Sequence, residues 1–306
     1  MRVAVTGSTG LIGTALCAAL RQAGDEVVPV VRGTPRPGEL PWDPVAGEID
    51  TAGLEGLDAV VHLAGAGIGD ARWSEARKRL IRESRVAGTR LLAGALARLE
   101  RPPAVLVSGS AIGWYGNRGD EPCTEASSPP AAPDFLAEVC RDWEAATAPA
   151  EAAGIRVVHL RTGIVLARQG GALARLVLPF RLGLGGRTGS GAQWMSWIAL
   201  DDEIGAIRHI LVTDALTGPV NATAPNPVTN LEFTRTLARV LGRPALLPAP
   251  LLPLRLRYGA ELVQHLLVEG QRVLPEKLLS SGYAFRHPEL EGALRAILAR
   301  PASGAA

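Results

Sequence analysis

Gly7, Gly10 and Gly13, each three residues from the next, are the residues whose type and spacing most directly imply chemistry. Glycines in such a turn let a backbone approach a ligand closely, and they leave amide N–H groups and the positive end of a helix free for an anion. The elements needed to aim them lie on either side. Residues 3–5 read as a buried strand, and Leu11, Ala15, Leu16, Ala19 and Leu20 recur at helical spacing. Ala23-Gly24 then ends the helix before a second strand at residues 27–31. Strand, glycine turn, helix and strand in that order make a complete βαβ unit, which suits the pyrophosphate of a dinucleotide.

The end of the second strand selects the dinucleotide. An Asp or Glu there would bond a ribose 2′-hydroxyl, but Val27-Val28-Pro29-Val30-Val31 runs into Arg32. A guanidinium suits a 2′-phosphate, and no carboxylate is present to repel it. NADP(H) is the expected cofactor; the alternative makes Arg32 an ordinary solvated loop residue.

The GxxGxxG spacing with Thr6 before it, followed by Leu57-Asp58-Ala-Val-Val-His62-Leu63-Ala64-Gly65, resembles the extended short-chain dehydrogenase/reductase superfamily. The resemblance implies that Asp58 lies near the adenine and that Ala64 and Gly65 line the cofactor. His62, in an apolar run without an acidic neighbour, reads as a packed strand residue. Oxidoreductases of this superfamily use a Tyr with a Lys four residues later, the ammonium lowering the phenol pKa so that the oxygen can move a proton. That pair is missing here. The lysines are Lys78 and Lys277, with Ser74 and Val273 four positions before them. In Asp134-Phe135-Leu136-Ala-Glu138-Val139-Cys140-Arg-Asp-Trp143-Glu144, alignment on Glu144 puts Leu136 and Cys140 at the Tyr and Lys positions.

Further motifs resemble one branch, the epimerase-like family whose members are called sugar-nucleotide epimerase-like proteins or cell-division inhibitors. They are Arg72-Trp73 with Lys78 and Ser84-Arg85, Ser108-Gly-Ser110-Ala-Ile-Gly-Trp114-Tyr115-Gly116, Leu160-Arg161-Thr162-Gly163 and Gly189-Ser-Gly191-Ala-Gln193-Trp194-Met-Ser-Trp197. Asn221-Ala-Thr-Ala-Pro225-Asn226 follows, and Ser280-Ser-Gly282-Tyr283-Ala-Phe285 is similar to that family's C-terminal module. The resemblance spans nearly the whole chain. It implies an extended Rossmann fold with bound NADP(H) and a reaction not yet assigned. Its cofactor contacts would be Thr6, Gly7, Thr9, Gly10, Leu11, Ile12, Gly13, Arg32, Leu63, Ala64, Gly65, Ser108 and Arg161. Ala199 stands where many relatives carry a histidine, so no role of that histidine transfers.

Without the Tyr–Lys pair, the expected proton-handling residues are Ser110, Tyr115 and Glu138. Ser110 follows a strand and is either the superfamily's catalytic serine or a turn-capping residue. Tyr115 lacks a cation four residues on, so it reads as a donor or wall, or as simple packing. Cys140 shares the helix of Glu138, where a thiol among uncharged neighbours is usually inert. Lys78, Arg82 and Arg85 lie on one face of a helix at residues 74–98. They form either a solvated stripe or, at Lys78 and Arg85, a clamp for a substrate carboxylate or phosphate. Gln193, Trp194 and Trp197 are either a ligand-facing wall or a buried hinge.

Composition bounds the remaining possibilities. The chain has 306 residues and a formal net charge of +2, with no dense basic run of the kind nucleic acid requires. Its three cysteines, Cys17, Cys123 and Cys140, give neither a disulfide framework nor a metal motif. No apolar stretch is long enough for a membrane span, and a cytoplasmic location is expected. Strands and helices alternate to about residue 165, and glycine- and proline-rich breaks follow. The expected fold is α/β: a doubly wound parallel sheet of the NAD(P)-binding Rossmann type with a smaller, mostly helical C-terminal lobe. Residues 1–165 with about 193–224 would form the dinucleotide domain, and about 166–192 with 225–306 the substrate lobe. Two functions stay open: an NADP-dependent oxidoreductase or epimerase acting on a small molecule, and a non-catalytic NADP(H)-binding sensor. The substrate and the oligomeric state are not encoded in these motifs.

Overall fold

The computed structural model describes residues 1–245 and 247–299. Its central sheet has eight strands among these residues, in the order Gly218–Ala222, Arg156–Thr162, Val105–Ala111, Ala59–His62, Arg2–Thr6, Glu26–Val31, Leu40–Asp43 and Glu48–Ile49. All neighbours are parallel except the last pair. Because side chains alternate along a strand, Val3 and Val5 join Val61, Val107 and Leu160 on one face, while Ala4, Val60 and Leu106 fill the other. Helices Leu11–Gln22 and Leu200–Val212 cover the first face, and helix Glu75–Leu96 covers the second. The sheet is doubly wound, as expected.

Strand order reverses at Arg2–Thr6: the chain builds outward first through Glu26–Val31 and then, on the other side, through Ala59–His62. Open α/β sheets bind ligands at the carboxyl ends of strands beside such a switch point, and the glycine loop begins there at Gly7.

A second core lies under the C-terminal lobe. Leu166, Leu173, Phe180, Trp197, Phe233, Leu237, Leu290 and Leu294 pack together beneath helices Gly171–Arg181, Asn230–Leu241 and Leu290–Ala299. The middle helix shows why the sequence folds there: Thr229 and Glu232 form a reciprocal capping box at its start, and Gly242 takes a left-handed turn (φ 63°) at its end. Short strand pairs stitch the lobes together, Trp197–Ala199 with Ile164–Leu166 and Arg272–Val273 with Pro122–Cys123. These pairs and the edge strands Leu40–Asp43 and Glu48–Ile49 are too short to carry a readable hydrophobic period. Among the described residues no helix is long and apolar enough to cross a membrane. All three cysteines are free and buried.

Candidate functional site

The three glycines do two different jobs. Gly7 has φ +65°, and a Cβ there would lie 2.8 Å from the Leu63 carbonyl carbon; one on Gly13 would lie 2.2 Å from the Gly7 carbonyl oxygen. Both are glycine so that loop, helix and neighbouring strand can touch. A Cβ on Gly10 would meet only the Gly7 oxygen, at 3.3 Å, and would otherwise point into open space. Gly10 caps helix Leu11–Gln22 without a side-chain hydrogen bond, and the first turn holds no acidic residue. The amides of Leu11, Ile12 and Gly13 have no acceptor among the described residues, which makes this turn an anion receptor. The Leu11, Ile12 and Leu63 side chains pack against the first core, whereas Thr9 is exposed.

Thr6 corrects an expectation. Its buried hydroxyl accepts from the amides of Leu63 (3.1 Å) and Ala64 (3.2 Å) and lies 2.7 Å from His62 Nδ1. With both lone pairs taken, the hydroxyl must donate to Nδ1, which fixes the imidazole proton on Nε2. The Thr6 hydroxyl therefore has nothing left for a ligand and instead shapes the Leu63–Ala64 turn. His62 is buried edge-on to Trp42, and burial pushes its pKa down to about 4. It is a neutral packed residue.

Arg32 follows strand Glu26–Val31, is exposed, and has no hydrogen-bond or ion-pair partner among the described residues. Its guanidinium is available to a phosphate.

The expected proton-handling residues are withdrawn from the cleft. Ser110 is 4% exposed and donates to Glu144 Oε1 at 2.6 Å. Glu144 is held by Arg161 through two parallel bonds, Nε to Oε1 at 2.8 Å and Nη2 to Oε2 at 2.9 Å. Arg161 also donates to the Tyr115 hydroxyl (3.0 Å), stacks 3.9 Å over Trp114, and is 2% exposed. The Tyr115 hydroxyl in turn donates to Asn221 Oδ1 at 2.6 Å, and burial pushes its pKa up to about 12. Ser110 and Tyr115 are thus parts of a closed interior network, and Arg161 is its counter-ion instead of a cofactor contact. Ser108 is also fully buried, its hydroxyl reaching only the neighbouring Gly109 carbonyl.

The helix that replaces the usual catalytic one, Phe135–Ala145, is capped by Asp134, which accepts from the Ala137 amide at 2.9 Å. Its buried face is Ala137, Val139, Cys140, Trp143 and Glu144. Glu138 lies on the opposite side of the wheel with exposed Arg141 and Ala145, away from Leu136 and Cys140. Leu136 packs with Phe135 against the cluster of Trp73, Ile81, Val139 and Leu262, and burial is the main cause raising the Cys140 thiol to about 12. Neither can act as an acid or base near neutrality.

Among the expected substrate residues, Lys78 bonds Glu75 (2.8 Å) and Glu261 (3.3 Å), tying its helix to the C-terminal lobe. Gln193 donates to the Thr188 and Leu267 carbonyls (3.0 and 2.6 Å). Trp194 donates to Asp120 (2.8 Å) with Arg272 stacked 4.8 Å over its ring, and Trp197 is fully buried in the second core. Trp197 is therefore a packed core residue, whereas Gln193 and Trp194 are half-buried and tied to the loop at Thr188 and to Asp120. Arg85 differs. It lies on the cleft side of its helix, against exposed Gly65, whose added Cβ would meet its side chain at 3.4 Å.

A glycine turn with an unspent helix end at a strand-order switch defines a dinucleotide-binding Rossmann domain. The chain belongs to the NAD dependent epimerase/dehydratase family, whose sequence pattern matches residues 3–221; a domain of unknown function, DUF1731, matches residues 249–297. It is 45% identical over 300 residues to the epimerase family protein Mb2239 of Mycobacterium bovis, covering 98% of both chains. To the human epimerase family protein SDR39U1 it is 39% identical over 305 residues, covering 98% of this chain and 100% of the relative. The crystal structure of human SDR39U1 (isoform 2) with NADPH superposes with a TM-score of 0.91 at 38% identity, covering 98% of this chain and 100% of that one. A Corynebacterium glutamicum nucleoside-diphosphate sugar epimerase superposes at 0.80 with 40% identity, covering 97% of this chain and 58% of that one.

Proposed function

We propose that this chain binds NADP(H) and uses it for redox chemistry, as an oxidoreductase or an epimerase, on a small molecule held between the Rossmann domain and the C-terminal lobe. The observation that carries the reading is the pairing of an uncapped, acid-free first turn at Gly10–Gly13 with Arg32, which has no partner among the described residues, at the end of the second strand. These fit a pyrophosphate and a 2′-phosphate respectively. The relative crystallised with NADPH supports the same reading. In this assignment the amides of Leu11, Ile12 and Gly13 would hold the pyrophosphate, Gly10 would admit it, and Arg32 would hold the 2′-phosphate.

NADP(H), when bound, supplies hydride transfer. The protein's part is to orient the substrate and balance charge. Because Ser110 and Tyr115 are enclosed and Glu138 lies on the outer side of its helix, this reading takes the proton from water in the cleft or from the substrate itself.

A second reading, a non-catalytic NADP(H) sensor, is favoured by one observation: the helix that should carry the Tyr–Lys pair presents Leu136 and Cys140. The two separate by assay. NADPH titration followed by fluorescence tests binding, and NADPH absorbance against a panel of small carbonyl compounds tests turnover. Tight binding with turnover supports the oxidoreductase; tight binding without it supports the sensor; absence of binding overturns both.

A further inference from the structure

The first half of helix Glu75–Leu96 carries five cations; Arg79 is exposed to solvent, and three of the other four have an acid within 4.0 Å. Lys78 has Glu75 and Glu261, Arg82 has Asp142, and Arg77 lies 3.9 Å from Asp70. Arg85 has no carboxylate partner among the described residues. Its Nη1 donates to the carbonyls of Ala66 (2.9 Å) and Ile81 (3.0 Å), while Nε and Nη2 make no hydrogen bond there. The guanidinium lies 5.0 Å from the ring centre of Trp143, whose Nε1 is itself buried without an acceptor. This corner of the cleft has donors to spare and lacks an anion.

A partly buried cation without a counter-charge is expensive unless a ligand supplies one. Burial disfavours its charged form most; among its neighbours the Cys140 thiol favours that form and Arg77 opposes it, and none of them is a carboxylate. The position is equally specific. Arg85 lies against Gly65, just beyond strand Ala59–His62, with Cys140 and Trp143 of the replaced catalytic helix on its other side. Two backbone carbonyls fix the plane of the fork, so the remaining N–H edge is pre-oriented for two parallel bonds to a planar or tetrahedral oxyanion.

We propose that Arg85 binds the carboxylate or phosphate of the substrate, so that the molecule taken by this cleft is a small anion. This rests on the reading of the cleft as an NADP(H) site. Arg85 then supplies, from a different helix, positive charge beside the position where relatives with the Tyr–Lys pair carry a lysine.

The test uses malonate, inorganic phosphate and neutral malonamide as probes, titrated into NADPH-saturated protein and followed by calorimetry and by the fluorescence of bound NADPH. Malonate or phosphate should bind, and whichever binds more tightly names the oxyanion; malonamide should not bind. Arg85→Met should weaken the preferred anion about tenfold or more, and Arg85→Lys, which keeps the charge and loses the fork, should recover part of that loss. NADPH affinity should stay within about threefold in both variants, since the first-turn amides and Arg32 are untouched, and this also reports that each variant is folded. Failure of both anions to bind, anion affinity unchanged in Arg85→Met, malonamide binding as well as malonate, or NADPH affinity falling as far as anion affinity would each overturn the proposal. Failure of the cofactor reading shows separately, as absence of NADPH binding by the unmodified protein; the same anion titrations on cofactor-free protein then decide the role of Arg85.

Discussion

Glu144 and Arg161 form a bidentate ion pair, at 2.8 and 2.9 Å, inside the sheet–helix interface, and it gathers in Ser110 and Tyr115, the side chains that the sequence offers for proton transfer. Removing one partner of a buried pair leaves an uncompensated charge. Glu144→Gln should cost about 3–5 kcal/mol of stability. Urea denaturation measures this, and a loss below about 1 kcal/mol would show that the pair is solvated.

Ser110→Ala and Tyr115→Phe should act on stability and leave the cofactor alone. Each removes hydrogen bonds in a closed network and should cost about 1–3 kcal/mol. NADPH affinity should be unchanged in both. A large drop in turnover of any substrate found, without a matching loss of stability, would return these residues to the active site.

The glycines predict a graded series. Gly13→Ala forces a Cβ to within 2.2 Å of the Gly7 oxygen, so the loop must move and both folding and NADPH binding should suffer. At Gly10 the added atoms face outward, so Gly10→Val should give a folded protein that no longer binds NADPH. Circular dichroism with a fluorescence titration separates the two behaviours, and a folded Gly10→Val that binds normally contradicts the cradle.

Glu203 predicts a pH dependence. It is fully buried, its Oε1 accepts from Thr162 at 2.9 Å, and burial pushes its pKa up to about 8. Between the unfolded value of about 4.3 and the folded one, the folded state holds the extra proton. The contribution is therefore fully present below about pH 4 and is lost as pH rises through about 8. Glu203→Gln, permanently neutral, should match the unmodified protein near about pH 4 and exceed its stability by roughly 2–4 kcal/mol near about pH 8. Thermal melts across that range measure the difference, and a constant difference across it contradicts the assignment.

What could be read from the sequence was what depends on local period and backbone. The βαβ unit at the N-terminus, the strands at Val105–Ala111 and Arg156–Thr162, and the long helix Glu75–Leu96 announce themselves through short continuous apolar runs or helical spacing. The side-chain roles were harder because burial is a tertiary property. Thr6, Ser110 and Tyr115 sit beside the cleft in sequence, yet each hydroxyl faces inward to a partner between 34 and 106 residues away. One signal was available: Arg161 follows Val157-Val158-His159-Leu160 in a buried strand, and a charge there requires an opposite charge nearby, which Glu144 provides. Nothing comparable marks Glu203, whose significance depends on complete enclosure by residues distant in the chain.

The central claim is that the glycine turn and Arg32 together select NADP(H). Calorimetric titration of the unmodified protein and Arg32→Ala with NADPH and with NADH tests it most directly. NADPH should bind the unmodified protein more tightly than NADH, and Arg32→Ala should narrow that gap by about 1–3 kcal/mol while leaving NADH affinity nearly unchanged, because only the 2′-phosphate contact is lost. Equal affinities for the two nucleotides in the unmodified protein, or a gap that survives Arg32→Ala intact, would contradict it.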